Sequence, residues 1–291
     1  MNHLSIKNLR KTYANGVEAI NNISLEIGNG MFGLLGPNGA GKSSLMKTIV
    51  GLQAADSGEI MFNGADVLAD PALIKKHLGF LPQDFGVYPK ISAYDLLSHL
   101  AVLKGVTNAA ERKAQILALL DKVNLFQHRN KEVHTFSGGM RQRFGVAQAL
   151  LGQPQLVIVD EPTAGLDPEE RNRFNNLLSS ISEEVIVILS THLVEDVHHL
   201  CAKMAIMNKG TLLAHGNPSD LIQELEGRIW QKQVSSSELE QYKNELQILS
   251  SQFIAGKMSI RIRADKAPEN FRPVMPILED VYFSVLKPAK A

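Results

Sequence analysis

Eight residues, Gly36 to Ser43, read GPNGAGKS, and they constrain the fold more than any other stretch of the chain. An apolar run, Met31 to Leu35, precedes them, and a helix-like stretch, Ser44 to Leu52, follows. The pattern G-x-x-x-x-G-K-[ST] in that setting asks for a strand, a tight glycine-rich turn and a helix in immediate succession. Gly36, Gly39 and Gly41 let the backbone curl with its N–H groups pointing inward, a concave anion nest at a helix N-terminus. The candidate cradle therefore comprises Gly36, Pro37, Asn38, Gly39, Ala40, Gly41, Lys42, Ser43 and Ser44. Lys42 is placed to reach β- and γ-phosphates, and the Ser43 hydroxyl to ligate Mg²⁺.

Three more segments follow in chain order: FSGGM at Phe136 to Met140, LVIVDEP at Leu156 to Pro162, and STH at Ser190 to His192. LVIVDEP is an apolar run closing on two acids, which suits a buried parallel strand with carboxylates at its C-terminal edge. Gln153 and Pro154 punctuate its start. Asp160 is placed to hold Mg²⁺ through water, and Glu161 to polarise a water attacking a γ-phosphate. A base in that position supplies about 10²–10⁴ in rate. Ser137, Gly138 and Gly139 precede a helical stretch, Met140 to Leu151, and offer a hydroxyl and free N–H groups to an anion.

With these motifs in this order, residues 1 to about 225 resemble the nucleotide-binding subunit of an ABC (ATP-binding cassette) protein. The resemblance implies that Ser137, Gly138 and Gly139 meet the γ-phosphate of ATP held by a second subunit, so that two cassettes pack head to tail around two ATP molecules. Tyr13, in RKTYANG, matches the aromatic that stacks on adenine, worth roughly 1–3 kcal/mol. Gln83, in FLPQDFGVYP, matches the glutamine that contacts Mg²⁺ and the attacking water, and it sits beside the surface that meets a transporter's membrane subunit. Asp167, in GLDP, matches the loop that crosses the dimer interface. His192, in LSTHLVED, matches the switch histidine at the γ-phosphate. The expected catalytic set is Lys42, Gln83, Glu161 and His192, with Ser43, Gln83 and Asp160 at the metal. The signature departs from the common LSGGQ. Phe136 keeps an apolar anchor, and Met140 removes an amide but leaves Ser137 and both glycines.

The implied fold is α/β: a P-loop NTPase cassette with a mainly parallel core sheet, an antiparallel nucleotide-edge sheet and a helical subdomain over about 89–150. Residues 3 to 30 alternate as antiparallel strands do. Leu96, Leu97, Leu100 and Leu103, then Ile116, Leu117, Leu119 and Leu120, recur at helical spacing. Val185 to Leu189 reads as a buried strand, and Lys203 to Asn208 with Thr211 to His215 as a hairpin around Lys209 and Gly210. A helix, Ser219 to Leu225, closes a cassette of residues 1–226, leaving 227–291 as a small α+β accessory domain. There, strands are predicted at Arg228 to Val234, Gln247 to Ala255 and Lys257 to Arg263, and a helix at Ser236 to Leu246. A last helix is predicted with Ile277, Leu278, Val281, Tyr282 and Val285 on one face.

Composition bounds the function. Lys+Arg and Asp+Glu are both 30, and no basic cluster stands out, so nucleic-acid contact is not expected. The single cysteine, Cys201, has no internal partner and fits a reducing compartment. MNHLSIKNLRKTY lacks the apolar core of a signal peptide, and no run reaches the roughly 18–20 apolar residues of a membrane span. A chain of this kind is expected at the cytoplasmic face of the membrane, held by a separate multi-helix permease. DFGVYPKISAYDLL and the short tail, ending in LEDVYF, resemble drug- and polysaccharide-type exporters. The alternatives are an importer ATPase and a soluble ABC ATPase acting on ribosomes or DNA. A single P-loop, and a spacing from Lys42 to Asp160 that fits one compact helical subdomain, weigh against the soluble types.

Overall fold

The computed structural model describes residues 1–287 apart from 84, 87, 88, 164, 165 and 255. Its centre is a six-stranded sheet in the order Thr211–Gly216, Lys203–Asn208, Gly30–Leu35, Ile186–Thr191, Leu156–Asp160, Leu78–Leu81. Five strands run parallel, and only Thr211–Gly216 pairs antiparallel, as the second arm of the predicted hairpin. A parallel sheet is buried on both faces, so its strands are apolar throughout rather than alternating. The register bears this out. Val157, Val159, Val187 and Leu189 face one hydrophobic cluster, while Leu156, Ile158, Ile186 and Ile188 face the other.

One face is covered by an antiparallel sheet in the order Glu18–Gly28, His3–Thr12, Ser57–Phe62, Ala65–Asp66. Leu4, Ile6, Ile20, Ile23 and Ile60 lie in the same cluster as the helix Lys42–Ile49. The other face carries the helices Ala93–Leu103, Ala109–Lys122, Gly138–Ala149 and Pro168–Ser182. Leu96, Leu97, Ile116 and Leu120 are buried there as predicted. Leu103 instead stands 72% exposed at the end of its helix. At Gly79 a Cβ would lie 2.2 Å from the Ala149 carbonyl oxygen, so this glycine lets the last strand of the sheet meet the helix Gly138–Ala149 backbone to backbone.

A third, antiparallel sheet has the order Ile248–Ile254, Lys257–Arg263, Ile229–Val234, Arg272–Pro273. Val234, Ile260 and Ile262 form its own small core with Trp230, Leu239 and Tyr242, the last two from the helix Ser236–Glu245. The helix Leu278–Leu286 joins this sheet to the rest. Leu278, Val281 and Tyr282 enter the large cluster together with Leu225, Ile229 and Leu249. Ile277 does not share that face: it is the N-cap residue in extended conformation and 42% exposed. The helix begins one residue later because the Asp280 carboxylate accepts the Ile277 N–H and thereby fixes the first turn there. Asp280 is 1% exposed and bidentate with Arg261 from the neighbouring strand.

Removing one partner of such a pair strands the other, which costs about 3–5 kcal/mol. Asp280→Ala should therefore destabilise the third sheet and its helix by about 3 kcal/mol. Urea unfolding followed by the fluorescence of Trp230, the only tryptophan, checks this. An unchanged midpoint would remove the Arg261 pair as the anchor.

Candidate nucleotide site

The carboxyl ends of four adjacent parallel strands carry the predicted motifs. Gly30–Leu35 runs into the glycine loop, Ile186–Thr191 into His192, Leu156–Asp160 into Glu161, and Leu78–Leu81 ends two residues before Gln83. The helix after the loop spans Lys42–Ile49, earlier at both ends than the sequence reading. Its N-cap is Gly41, at φ +102 with no side-chain cap, and its first turn has no acidic residue. The first-turn N–H groups of a helix have no intrahelical acceptor, so this end is open to an anion. A Cβ on Gly41 would stand 2.2 Å from the Ala19 carbonyl oxygen, which ties the loop closely to the strand Glu18–Gly28.

Lys42 is buried beneath the loop. Its ammonium donates to the Gly36 carbonyl at 2.6 Å and to that of Pro37 at 3.3 Å, with Glu161 Oε1 at 3.8 Å. Burial pushes its pKa down, and the charges of Glu161 and Asp160 only partly pull it back. Ser43 Oγ donates to Asp160 Oδ2 at 3.3 Å. Glu161 Oε2 lies 3.2 Å from Nδ1 of His192, whose ring is half exposed. Glu161 adopts a left-handed backbone, φ +47, and its N–H donates to the Ser190 carbonyl at 2.8 Å. Non-glycine residues rarely take that conformation; here it turns the chain out of the strand at the residue after Asp160.

These residues line one cleft of about 550 Å³: Tyr13, Asn38, Gly39, Ala40, Gly41, Lys42, Ser43, Ser44, Gln83, Asp160 and Glu161. Tyr13 is tied to the P-loop helix, its hydroxyl 2.9 Å from Ser44 Oγ and donating to Gln53 Oε1 at 2.8 Å. Val17, Glu18, Ala19 and Lys209 line the same cleft and escaped the sequence reading. Lys209 was legible only as a hairpin tip. The Gly210 N–H beside it donates to the Ala40 carbonyl, which brings that tip to the loop. A serine hydroxyl, a carboxylate and an amide are the hard oxygen donors that suit Mg²⁺. Among the described residues no group of three or more His, Cys, Asp or Glu could hold a metal.

Ser137, Gly138, Gly139 and Asp167 are not in this cleft. Ser137 caps the helix Gly138–Ala149, accepting from the Met140 N–H at 3.3 Å. The helix therefore starts two residues before the sequence reading placed it. Ser137 lines a second polar pocket, of about 440 Å³, with Met140, Arg143 and Glu170. Gly138 is open, whereas Gly139 is buried, and a Cβ there would sit 2.5 Å from Glu170 Oε2. Phe136 anchors the turn, packed edge-on against Phe144 with ring centroids 6.1 Å apart. Asp167 caps the helix Pro168–Ser182, accepting from the Glu170 N–H at 2.9 Å.

Comparison with known proteins identifies the family. The family described as ABC transporter matches residues 20–164. The linearmycin resistance ATP-binding protein LnrL of Bacillus subtilis is 35% identical over 226 residues, 77% of this chain and 72% of that protein. The chain belongs to the ABC transporter ATP-binding family. The lipopolysaccharide export system ATP-binding protein LptB of Escherichia coli is 30% identical over 76% of this chain and 93% of its own length. The Nod factor export ATP-binding protein I of Rhizobium etli is 35% identical over 78% and 72%. Among solved structures, cbiO1 from Clostridium perfringens, part of an ABC transporter complex, superimposes with a TM-score of 0.69 at 26% identity, covering 76% of this chain and 90% of that one. A dimeric bacterial ABC transporter cassette shares the fold, with a TM-score of 0.67 at 24% identity over 74% and 98%. The cassette is thus an ATP-binding ATPase subunit of an ABC transporter. Among the described residues no helix is long and apolar enough to cross a membrane.

The buried lysine gives ATP binding a pH dependence of defined sign. Phosphate charge brought beside Lys42 would favour its ammonium form and so raise a pKa that burial lowers in the free protein. Affinity should stay level while Lys42 is protonated and fall as pH rises through its depressed value, with proton uptake on binding. Calorimetry in alkaline buffers of different ionisation heat measures that uptake. Its absence would mean that Lys42 does not face the phosphates.

Proposed function

We propose that this ATPase subunit powers export through a separate multi-helix permease, working as a head-to-tail pair of cassettes at the cytoplasmic face of the membrane. The export reading is supported by relatives named for Nod factor export and lipopolysaccharide export. Residues 1–226 would form the cassette, with a helical subdomain over about 89–150, and residues 227–291 an accessory domain. The observation that carries the mechanism is the chain of short contacts Ser43 to Asp160, Lys42 to Glu161 and Glu161 to His192 at one sheet edge.

In this reading the glycine loop and Lys42 hold the β- and γ-phosphates, and Tyr13 supplies the stacking face for adenine. Ser43, Asp160 and Gln83 would hold Mg²⁺, which when bound neutralises phosphate charge. Glu161 orients and deprotonates the attacking water, and His192, with its Nδ1 3.2 Å from Glu161 Oε2, contacts the γ-phosphate. The protein's contribution is mostly positioning and charge neutralisation. Ser137 lines a pocket separate from the P-loop cleft. This supports the two-cassette reading, since a signature that acts on phosphate must then serve the site of a second copy. Two identical chains suffice, because each carries a full set of motifs. Gln83 and the loop after it would pass closure to the permease. Residues 84, 87 and 88 of that loop are outside the described set.

Glu161→Gln should bind ATP normally while hydrolysis falls by about a hundredfold or more. Undiminished turnover would take the base role from Glu161. The same variant, purified in mild detergent with ATP and analysed by mass spectrometry, should bring down a polytopic membrane protein. Recovery of ribosomes, DNA or soluble proteins alone would overturn the transport reading.

A further inference from the structure

Outside the nucleotide cleft, the most deeply buried charge among the described residues of the cassette is the Asp196 carboxylate, 1% exposed. It sits four residues after His192, on the helix Val194–Leu200. Its Oδ2 accepts the Thr163 hydroxyl at 2.8 Å. Its Oδ1 accepts from Arg171, Nε at 2.8 Å and the terminal nitrogen at 2.7 Å. Thr163 is itself 4% exposed and lies two residues beyond Glu161. Arg171 is on the helix capped by Asp167, and its N–H donates to the Asp167 carbonyl at 2.9 Å. One carboxylate therefore joins three segments: the one that follows the base, the one that starts at Asp167, and the one that carries His192.

Well-packed apolar residues usually replace a buried ion pair at no loss of stability. Stability alone therefore gives little reason for a charge here, whereas directional bonds from a fixed carboxylate set geometry. Glu161 needs such support, because its left-handed backbone is held only if the surroundings determine it. Pro162 separates it from Thr163, so fixing the threonine hydroxyl fixes the exit of that turn.

We propose that Asp196 is a positioning residue for hydrolysis, locking the Glu161 turn, the Asp167 helix and the His192 segment into one arrangement. It touches no substrate and acts through Thr163 and Arg171. The inference rests on the reading of Glu161 and His192 as the catalytic pair.

The test compares Asp196→Asn, Asp196→Ala and Thr163→Val with the unaltered chain, measuring ATP affinity and turnover per bound nucleotide. Turnover per site is the deciding readout, because a purely structural defect lowers the number of binding-competent molecules and leaves each site's rate alone. Affinity should stay within about twofold. Turnover should fall about tenfold in Asp196→Asn and Thr163→Val and about a hundredfold in Asp196→Ala, as a misplacement of about 1 Å would produce. The double variant Thr163→Val with Asp196→Asn should lose no more than either alone, since both break one contact. Wild-type turnover per site in Asp196→Asn and Thr163→Val, with only a lower melting temperature, would overturn the proposal. Those two variants decide the matter if Asp196→Ala fails to fold. Glu161→Gln, assayed alongside, separates the readings: full activity there removes the catalytic pair, whereas its inactivity beside intact Asp196 and Thr163 variants removes only the positioning role.

Discussion

A parallel sheet must be covered on both faces, and that requirement organises this molecule. Alternate residues of Leu156–Asp160 and Ile186–Thr191 feed two separate hydrophobic clusters, so the sheet is clamped between the antiparallel layer and the helices. Clamped strands cannot slide, because a slip of one residue would exchange every side chain between the two clusters. The ends of the strands are consequently fixed points. Lys42, Asp160, Glu161 and His192 are all attached within a few residues of those ends, which is how Glu161 comes to lie within about 4 Å of both Lys42 and His192, and Asp160 within 3.3 Å of Ser43.

The same rigidity accounts for a lysine ammonium kept away from water. Lys42 is held by two loop carbonyls and a carboxylate, a cage that compensates burial only in part, as its depressed pKa reflects. The shortfall in stabilising charge is what an incoming polyphosphate would make good. Ligand binding and relief of an internal electrostatic deficit are then the same event.

Much of this was readable in the chain because the loop motif specifies backbone geometry as well as residue types. Gly41 has to be glycine at φ +102 with a carbonyl 2.2 Å from where a Cβ would be. The carboxylates and His192 were legible because each ends an apolar run. The strand Leu78–Leu81 was missed: four residues with a central glycine carry too little periodicity to register. The helix Pro168–Ser182 was missed because its polar face outweighs its buried Phe174, Leu177, Leu178 and Ile181. Ile277 was read as part of a helix face because amphipathic spacing carries no information about which carboxylate will cap the first turn. Asp196 left no trace at all, since a buried acid and a surface acid look alike until their partners are known. Lys209 and the burial of Gly139 against Glu170 likewise depend on segments that meet only in the folded chain.

The left-handed turn at Glu161 has a consequence for how such a chain can change over generations. Glycine is the residue most at ease at φ +47, so relaxing the local backbone and keeping the carboxylate are opposed demands at one position. Glycine there would relax the turn but remove the carboxylate that partly offsets the buried charge of Lys42. One side chain thus both strains its own turn and offsets a buried ammonium, so neither demand can be relaxed without the other.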